Sequence, residues 1–178
     1  MIITISGKPG SGKNTVAKLL AKKLHLKHYS LGDFMGEVAV NKNITLLELS
    51  KKAETDKSID DEIDQKQINL GKNRDNFVID SRLGFHFIPN SIKIFLDVKL
   101  KEGARRIFNH KRPDEKDNTT IKDTIKNIKR RIKSEKHRYK KYYHLNHYNK
   151  KNYDIIVDTT NITPEEVVSK ILDKIRKV

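Results

Sequence analysis

Gly7, Gly10, Gly12 and Lys13, within the stretch GKPGSGKNT, follow the apolar run Met1, Ile2, Ile3, Thr4, Ile5 and precede a helical pattern of Val16, Leu19, Leu20 and Leu24. A strand, a glycine turn and a lysine at a helix start can bind a phosphate chain: successive backbone N–H groups and the helix N-terminus face the anion, and Lys13 adds a point charge. Glycines are required because side chains would hold the backbone away from the phosphate oxygens. The pattern GxxxxGK[ST] wants a hydroxyl after the lysine, where it ligates Mg²⁺. Here that residue is Asn14, and the hydroxyl arrives one place later, as Thr15.

A second set of charges lies late in the chain, in RIKSEKHRYKKYY. By the period of about 3.6 residues, Arg131, Ser134 and Arg138 share one strip of a helix, about 100° from a stripe of Ile121, Ile125, Ile128 and Ile132. A helix packed by those isoleucines holds Arg131 and Arg138 at a cleft rim, where planar guanidinium forks can clamp phosphate oxygens. The acidic run Asp60, Asp61, Glu62, Asp64 reads as the start of a helix, where carboxylates complement the backbone dipole. His144 and His147 lack a carboxylate at helical spacing and read as surface residues, not a zinc site. Tyr139, Tyr142, Tyr143 and Tyr148 suit either base stacking in an RNA site or a packing edge.

The elements that must position these residues alternate between strand and helix, which predicts an α/β domain with a parallel sheet. Strands are expected at Ile2–Ser6, Lys27–Ser30, Asn76–Asp80, Ser91–Val98 and Asp154–Asp158. Helices are expected after the glycine loop and at Asp33–Asn41, Thr45–Thr55, Ile59–Gly71 and Lys99–His110. A long one follows, with Thr120 and Asp123 at capping-box spacing, and Thr163-Pro164 opens the last. The polar segment KRPDEKDN, Lys111 to Asn118, is expected to form a loop.

The chain has 178 residues, no cysteine, and a formal charge of +15 from 38 basic and 23 acidic residues. Such a length supports one domain, 1–178, with its own core. Without cysteine there are no disulfides and no thiolate chemistry, and a cytoplasmic location is expected. No apolar run is long enough for a membrane span, so no membrane partner is expected. The basic surface attracts nucleotides and, non-specifically, nucleic acid. The lysines are spread from Lys8 to Lys177 and form no single arm.

With its threonine two places after the lysine, the loop resembles the GxPGxGKxT form of the nucleoside monophosphate kinases, matched by Gly7, Pro9, Gly10, Gly12, Lys13 and Thr15. Nearly end to end, the chain resembles the short, archaeal-type cytidylate kinases. Ser30, Gly32 and Asp33 match their SxG[DE] segment, and Leu46, Leu47, Glu48 and Ser50 match the helical region after it. The IDxxID-like stretch before Gly71 is also similar, as are Phe77, Val78 and Ile79 followed by Arg82 in DSRLG.

The resemblance implies a P-loop three-layer α/β fold with a five-stranded parallel sheet, monophosphate-binding helices over about 31–72, and a short lid over about 110–119. It implies that Gly7, Lys8, Pro9, Gly10, Ser11, Gly12, Lys13, Asn14, Thr15 and Arg106 bind ATP. Lys13, Arg82, Arg131 and Arg138 would be catalytic. Ser30, Asp33, Arg82 and Arg138 would bind the monophosphate, and Thr15 and Asp80 would serve Mg²⁺. Gly36 and His110 stand where the family usually carries arginines. The expected activity is γ-phosphoryl transfer from ATP to CMP or dCMP by a monomer. The alternatives are a small P-loop kinase for AMP or a non-nucleotide acceptor, and a basic nucleotide-dependent RNA-binding protein.

Overall fold

A computed structural model describes residues 1–44, 48–49, 52–53, 55–110 and 118–176. The five expected strands form: β1 (Ile2–Gly7), β2 (Lys27–Ser30), β3 (Phe77–Asp80), β4 (Ile92–Asp97) and β5 (Ile155–Asp158). They make one parallel sheet in the order β2-β3-β1-β4-β5. With all strands parallel, their carboxyl ends share one rim, formed by Gly7, Ser30, Asp80, Asp97 and Asp158. Open sheets of this kind bind ligands at that rim, where neighbouring connections diverge. The central strand β1 pairs with β3 on one side and β4 on the other, so the glycine loop leaves the sheet at this point.

Among the described residues, seven helices connect and cover the strands: α1 (Lys13–Lys23), α2 (Leu31–Asn41), α3 (Lys57–Asn73), α4 (Gly84–Phe87), α5 (Leu100–Asn109), α6 (Ile121–Tyr143) and α7 (Pro164–Ile175). The short α4 has no counterpart among the sequence expectations. The expected helix Thr45–Thr55 lies largely outside the described residues, as does KRPDEKDN apart from Asn118.

The core has three parts. Ile3, Ile5, Val78, Ile94 and Leu96 pack against Val16 and Leu20 of α1 and Val167 and Ile171 of α7. On the other side Phe77 and Ile79 meet Phe34 and Val38 of α2 and Ile59 and Ile63 of α3. Phe95 joins Leu83, Phe85, Tyr139 and Tyr153 in an aromatic cluster. That cluster settles the place of Tyr139, which packs inside against the sheet.

Helix ends follow local chemistry. Thr163 and Glu166 form a reciprocal capping box at α7, with Pro164 at its first position. At α6, Thr120 accepts from the Asp123 N–H, while the Asp123 carboxylate takes the hydroxyls of Thr119 and Thr120. The isoleucine stripe of α6 is less buried than its spacing predicts. Ile128 is buried, Ile125 and Ile132 are half-buried, and Ile121 is exposed.

Candidate active site

The loop from Gly7 to Gly12 is fixed by close backbone packing. Lys8 N–H donates to Leu96 O, and Ser11 N–H to Lys8 O. Gly10 has φ 79°, and a Cβ there would stand 2.3 Å from the carbonyl oxygen of Gly103 in α5. Gly103 in turn has only 2.8 Å between its own Cβ position and Pro9 O, so two glycines allow loop and helix to touch. Gly103 is a contributor that a motif search misses, because its partner lies in a distant segment. Gly12, with φ 82°, caps α1 and leaves the helix N-terminus with no side-chain cap of its own.

Lys13 opens α1 and folds its ammonium back over the loop, 3.2 Å from Gly7 O. Asn14 donates its amide to Asp80 Oδ2 at 3.3 Å, and His28 Nε2 meets the same oxygen at 3.2 Å. Asp80 and Asn14 therefore stand together beside the loop, with one oxygen of Asp80 held by two residues, and Thr15 is exposed in the first turn of α1. Lys8 is committed elsewhere: its ammonium pairs with Asp97 at 2.6 Å, and Lys150 takes the other oxygen at 2.7 Å.

The arginines after β3 and on α6 meet at one carboxylate. Glu135 Oε1 receives Arg82 Nε at 2.8 Å and Arg131 Nε at 3.0 Å. Its second oxygen accepts the Tyr148 hydroxyl at 2.8 Å and lies 3.5 Å from His147 Nε2. Burial alone would push this carboxyl up, but the Arg82 charge and the contacts from His147 and Tyr148 hold it down at about 2. Glu135 is thus a buried anion that aligns two cations, a residue the sequence reading passed over. The surface reading of His147 is corrected: its ring is fully buried, tilted against Tyr148 and edge-on to Tyr139. The chain reverses at His144, with φ 55°, and turns His147 inward. His144 itself is exposed. Tyr139 and Tyr148 are likewise packing residues, although Tyr142 carries the ammonium groups of Lys57 and Lys141 over its ring.

Of the acidic run, Asp60 lies in the first turn of α3 as expected, while the cap itself is a different residue. The N-cap of α3 is Asp56, whose side chain accepts from Ser58 N–H. Asp60 and Asp64 instead turn towards α6. Asp64 accepts the Tyr143 hydroxyl and a bond from Gln67, whose carbonyl oxygen takes the hydroxyl of Ser81. Burial raises the Asp64 carboxyl to about 6, against the opposing pull of the Tyr143 bond. Asp60 Oδ2 faces Arg138 Nη1 at 3.7 Å. Arg138 also lies over the Tyr139 ring, with its Nη2 3.3 Å from that hydroxyl. So Arg82 and Arg131 share a partner, and Arg138 stands one turn beyond that partner, Glu135, on the same helix.

Ser30 is buried as the N-cap of α2, accepting from Asp33 N–H, and Asp33 is exposed in the first turn. Arg106 lies against the loop, but its donors go to Glu102, Gly10 O, Thr159 and Thr160 O. That arrangement ties α5, the loop and the turn after β5 together, and so does not leave the guanidinium free to neutralise a phosphate. His110 ends α5, exposed, with Nδ1 3.2 Å from Arg106 O. A Cβ on Gly36 would meet nothing within 4 Å. On the Lys8 side of the loop a cleft of about 360 Å³ opens, floored by Pro9, Val98, Leu100, Ile128 and Ile132.

A parallel sheet with a glycine loop at its switch point, a lysine at the following helix start and arginines across the rim defines a P-loop kinase fold. The sequence pattern of the cytidylate kinase-like family matches residues 2–161, and the chain belongs to that family. It is 35% identical to a cytidylate kinase of Sulfurisphaera tokodaii over 97% of this chain and 93% of that protein. With a cytidylate kinase of Natronomonas pharaonis it shares 37% identity, covering 94% and 85% of the two chains. It is also 34% identical to part of an S-adenosylmethionine-dependent nucleotide dehydratase of Lacinutrix mariniflava, over 98% of this chain and 36% of that longer protein. Among solved structures, the shikimate kinase of Bacteroides thetaiotaomicron superimposes with a TM-score of 0.72 over 99% and 98% of the two chains. At 16% identity that likeness is one of fold alone. Among the described residues, no helix is long and apolar enough to cross a membrane.

Proposed function

We propose that the chain transfers the γ-phosphoryl group of ATP to a nucleoside monophosphate, with CMP or dCMP as the acceptor. The observation that carries this reading is the pairing of Lys13 on the loop with Arg82 and Arg131 held by one buried carboxylate at the same rim. Membership of the cytidylate kinase-like family supports the choice of acceptor.

In the transfer, an oxygen of the acceptor phosphate forms the new bond to the γ-phosphorus, and the bond to the β,γ-bridging oxygen breaks to release ADP. A phosphate monoester is largely dianionic at pH 7, its second pKa being about 6, so no protein base is needed. What the protein must supply is in-line positioning and positive charge around the transferring group. The backbone N–H groups of Gly7 to Thr15 hold the ATP phosphates, and Lys13 offsets charge on the moving group. Arg82 and Arg131 are bound through Nε, which leaves their terminal nitrogens to phosphate oxygens. Arg138, Ser30 and Asp33 serve the acceptor side, and Arg106 holds the loop in shape for the donor.

The oxygen donors beside the loop fit Mg²⁺, a hard cation that keeps several waters. Asp80, oriented by Asn14 and His28, would hold it through water, with Thr15 nearby. When bound, the ion supplies charge neutralisation across the phosphates.

Coupled detection of ADP release with CMP, dCMP, UMP, AMP and GMP tests the reading. CMP or dCMP should raise ATP turnover at least on the order of 100-fold above the rate without acceptor, the margin expected when closure of the site excludes water. If no monophosphate stimulates turnover while RNA binds with a steep salt slope, the RNA-binding alternative replaces it.

A further inference from the structure

The basic residues are spread along the chain, but α6 gathers a row of them in space. At about 100° per residue, Lys122, Lys126, Lys129, Lys133, Lys136 and Lys140 fall within about 80° of one another round the helix. Every one is exposed, and so are Arg130 and His137 beside them. From Lys122 to Lys140 the strip runs about 27 Å, at about 1.5 Å per residue.

No acid on the helix neutralises this strip. Of its two carboxylates, Asp123 is taken by the hydroxyls of Thr119 and Thr120, and Glu135 is buried against Arg82 and Arg131. Among the described residues, none of the six lysines pairs with a carboxylate. On α3, by contrast, Lys57 pairs with Asp61 and Lys66 with Glu37 of α2. Like charges three and four residues apart repel, so a helix that repeats them over about five turns is destabilised by its own surface. An anion lying along the strip removes that repulsion.

The shape of the strip selects the anion. Steps of three or four residues place successive lysines about 4.5–6 Å apart along the axis, a straight and regular row suited to a linear polyanion. One nucleic-acid strand in a duplex carries a phosphate about every 3.4 Å, so the strip spans about eight of them. A membrane-surface helix would need large apolar side chains free to enter the lipid opposite its basic face. Here the apolar side turns inward through Ile128 and Tyr139, and the exposed Ile121 is a single residue in the first turn.

We propose that this face of α6 docks the phosphate backbone of nucleic acid. Lysines are point charges without the planar fork of arginine, so the contacts position a backbone and carry no sequence preference. The strip does not rest on the kinase reading: Arg131 lies about 180° round the helix from its centre, and the two faces can act separately.

The test is fluorescence anisotropy with an end-labelled oligonucleotide of mixed sequence, single-stranded in one arm and duplex in the other. With about six phosphates neutralised, log K should fall against log salt with a slope of about −4 for the single strand or about −5 for the duplex. Lys126→Glu/Lys133→Glu/Lys140→Glu should weaken binding on the order of 100-fold or more at low salt and flatten the slope by about 2–3. Each new glutamate has basic neighbours three and four places away, so circular dichroism and the unfolding midpoint should show α6 intact. ATP turnover with CMP should be unchanged. Lys22→Glu/Lys23→Glu/Lys170→Glu, on α1 and α7, makes the same change in net charge and should cost less than about tenfold. Equal losses in the two triple variants overturn the proposal, since net charge and not the strip would then bind. Capture by vesicles of anionic lipid, with neither oligonucleotide bound, overturns it in favour of a membrane surface. Wild-type protein that binds oligonucleotide through the strip but turns over ATP with no monophosphate keeps the docking face and loses the kinase reading.

Discussion

Arg82 Nε lies 2.8 Å from Glu135 Oε1, and Arg131 Nε meets the same oxygen at 3.0 Å. One buried anion therefore sets the spacing of two cations from different elements. Side-chain attachment at Nε fixes each guanidinium plane before any phosphate arrives, which is the preorganisation that phosphoryl transfer rewards. Glu135→Gln keeps the shape and removes the charge. It should lower kcat on the order of 10–100-fold, the usual result of misplacing catalytic groups by about an ångström. Steady-state kinetics below the unfolding transition, with circular dichroism to confirm the fold, would check this. An unchanged kcat would show that the two arginines find their places without Glu135.

Asn14 is read differently with Asp80 in view. Its amide nitrogen faces the carboxylate, so the side chain orients Asp80. His28 grips the same oxygen independently. Asn14→Gly should therefore keep most of the transfer rate, since glycine in place of asparagine costs the first turn of α1 only about 0.3 kcal/mol. Lys13→Ala should reduce kcat on the order of 1,000-fold, about 4 kcal/mol of transition-state stabilisation. A collapse of activity in Asn14→Gly, measured with saturating ATP and Mg²⁺, would assign the amide a direct role in metal binding.

How far the sequence led depended on whether the governing contacts are local. The glycine loop, the strands and the caps at Thr120 and Thr163 are set by neighbours a few residues away, and all form where the residue types place them. The strip of Arg131 and Arg138 was legible through helical period. Glu135 sits four residues after Arg131 on the same helix, but its importance comes from Arg82, His147 and Tyr148, which no period connects to it. Asp60 and Asp64 look like dipole partners in a linear reading. The true cap, Asp56, lies one turn earlier and frees them to face α6. His147 was misread because the left-handed turn at His144 occurs without a glycine to announce it.

Gly36 offers a gain-of-function test. It lies in α2 where the family resemblance leads one to expect an arginine, and a Cβ there meets nothing within 4 Å. Gly36→Arg should lower KM for CMP by roughly 3–10-fold, the value of one exposed charge-assisted contact of about 1 kcal/mol. KM for ATP should stay the same. The helix should also gain about 0.5–1 kcal/mol from losing a glycine, visible as a higher unfolding midpoint. A stabilised variant with an unchanged KM for CMP would place the acceptor phosphate away from this face of α2.

Asp64 and Glu135 give the protein opposing acid responses. Glu135 is held at about 2, below its ordinary 4.5, so its contribution is complete above pH 4.5 and is lost as pH falls towards 2. Asp64 is raised from 3.8 to about 6 because burial disfavours its charged form. Between those values the folded chain binds more protons at Asp64 than the unfolded one, so stability falls as pH rises from about 4 to 6. Asp64→Asn keeps an acceptor for Tyr143 and removes the titration. It should match wild type near pH 4 and exceed it at pH 7 by on the order of 2 kcal/mol. Urea midpoints for both proteins at pH 4 and pH 7 would show this. A variant weaker than wild type at pH 7 would mean that the Asp64 carboxylate stabilises the fold in its charged form, with Tyr143 outweighing the cost of burial.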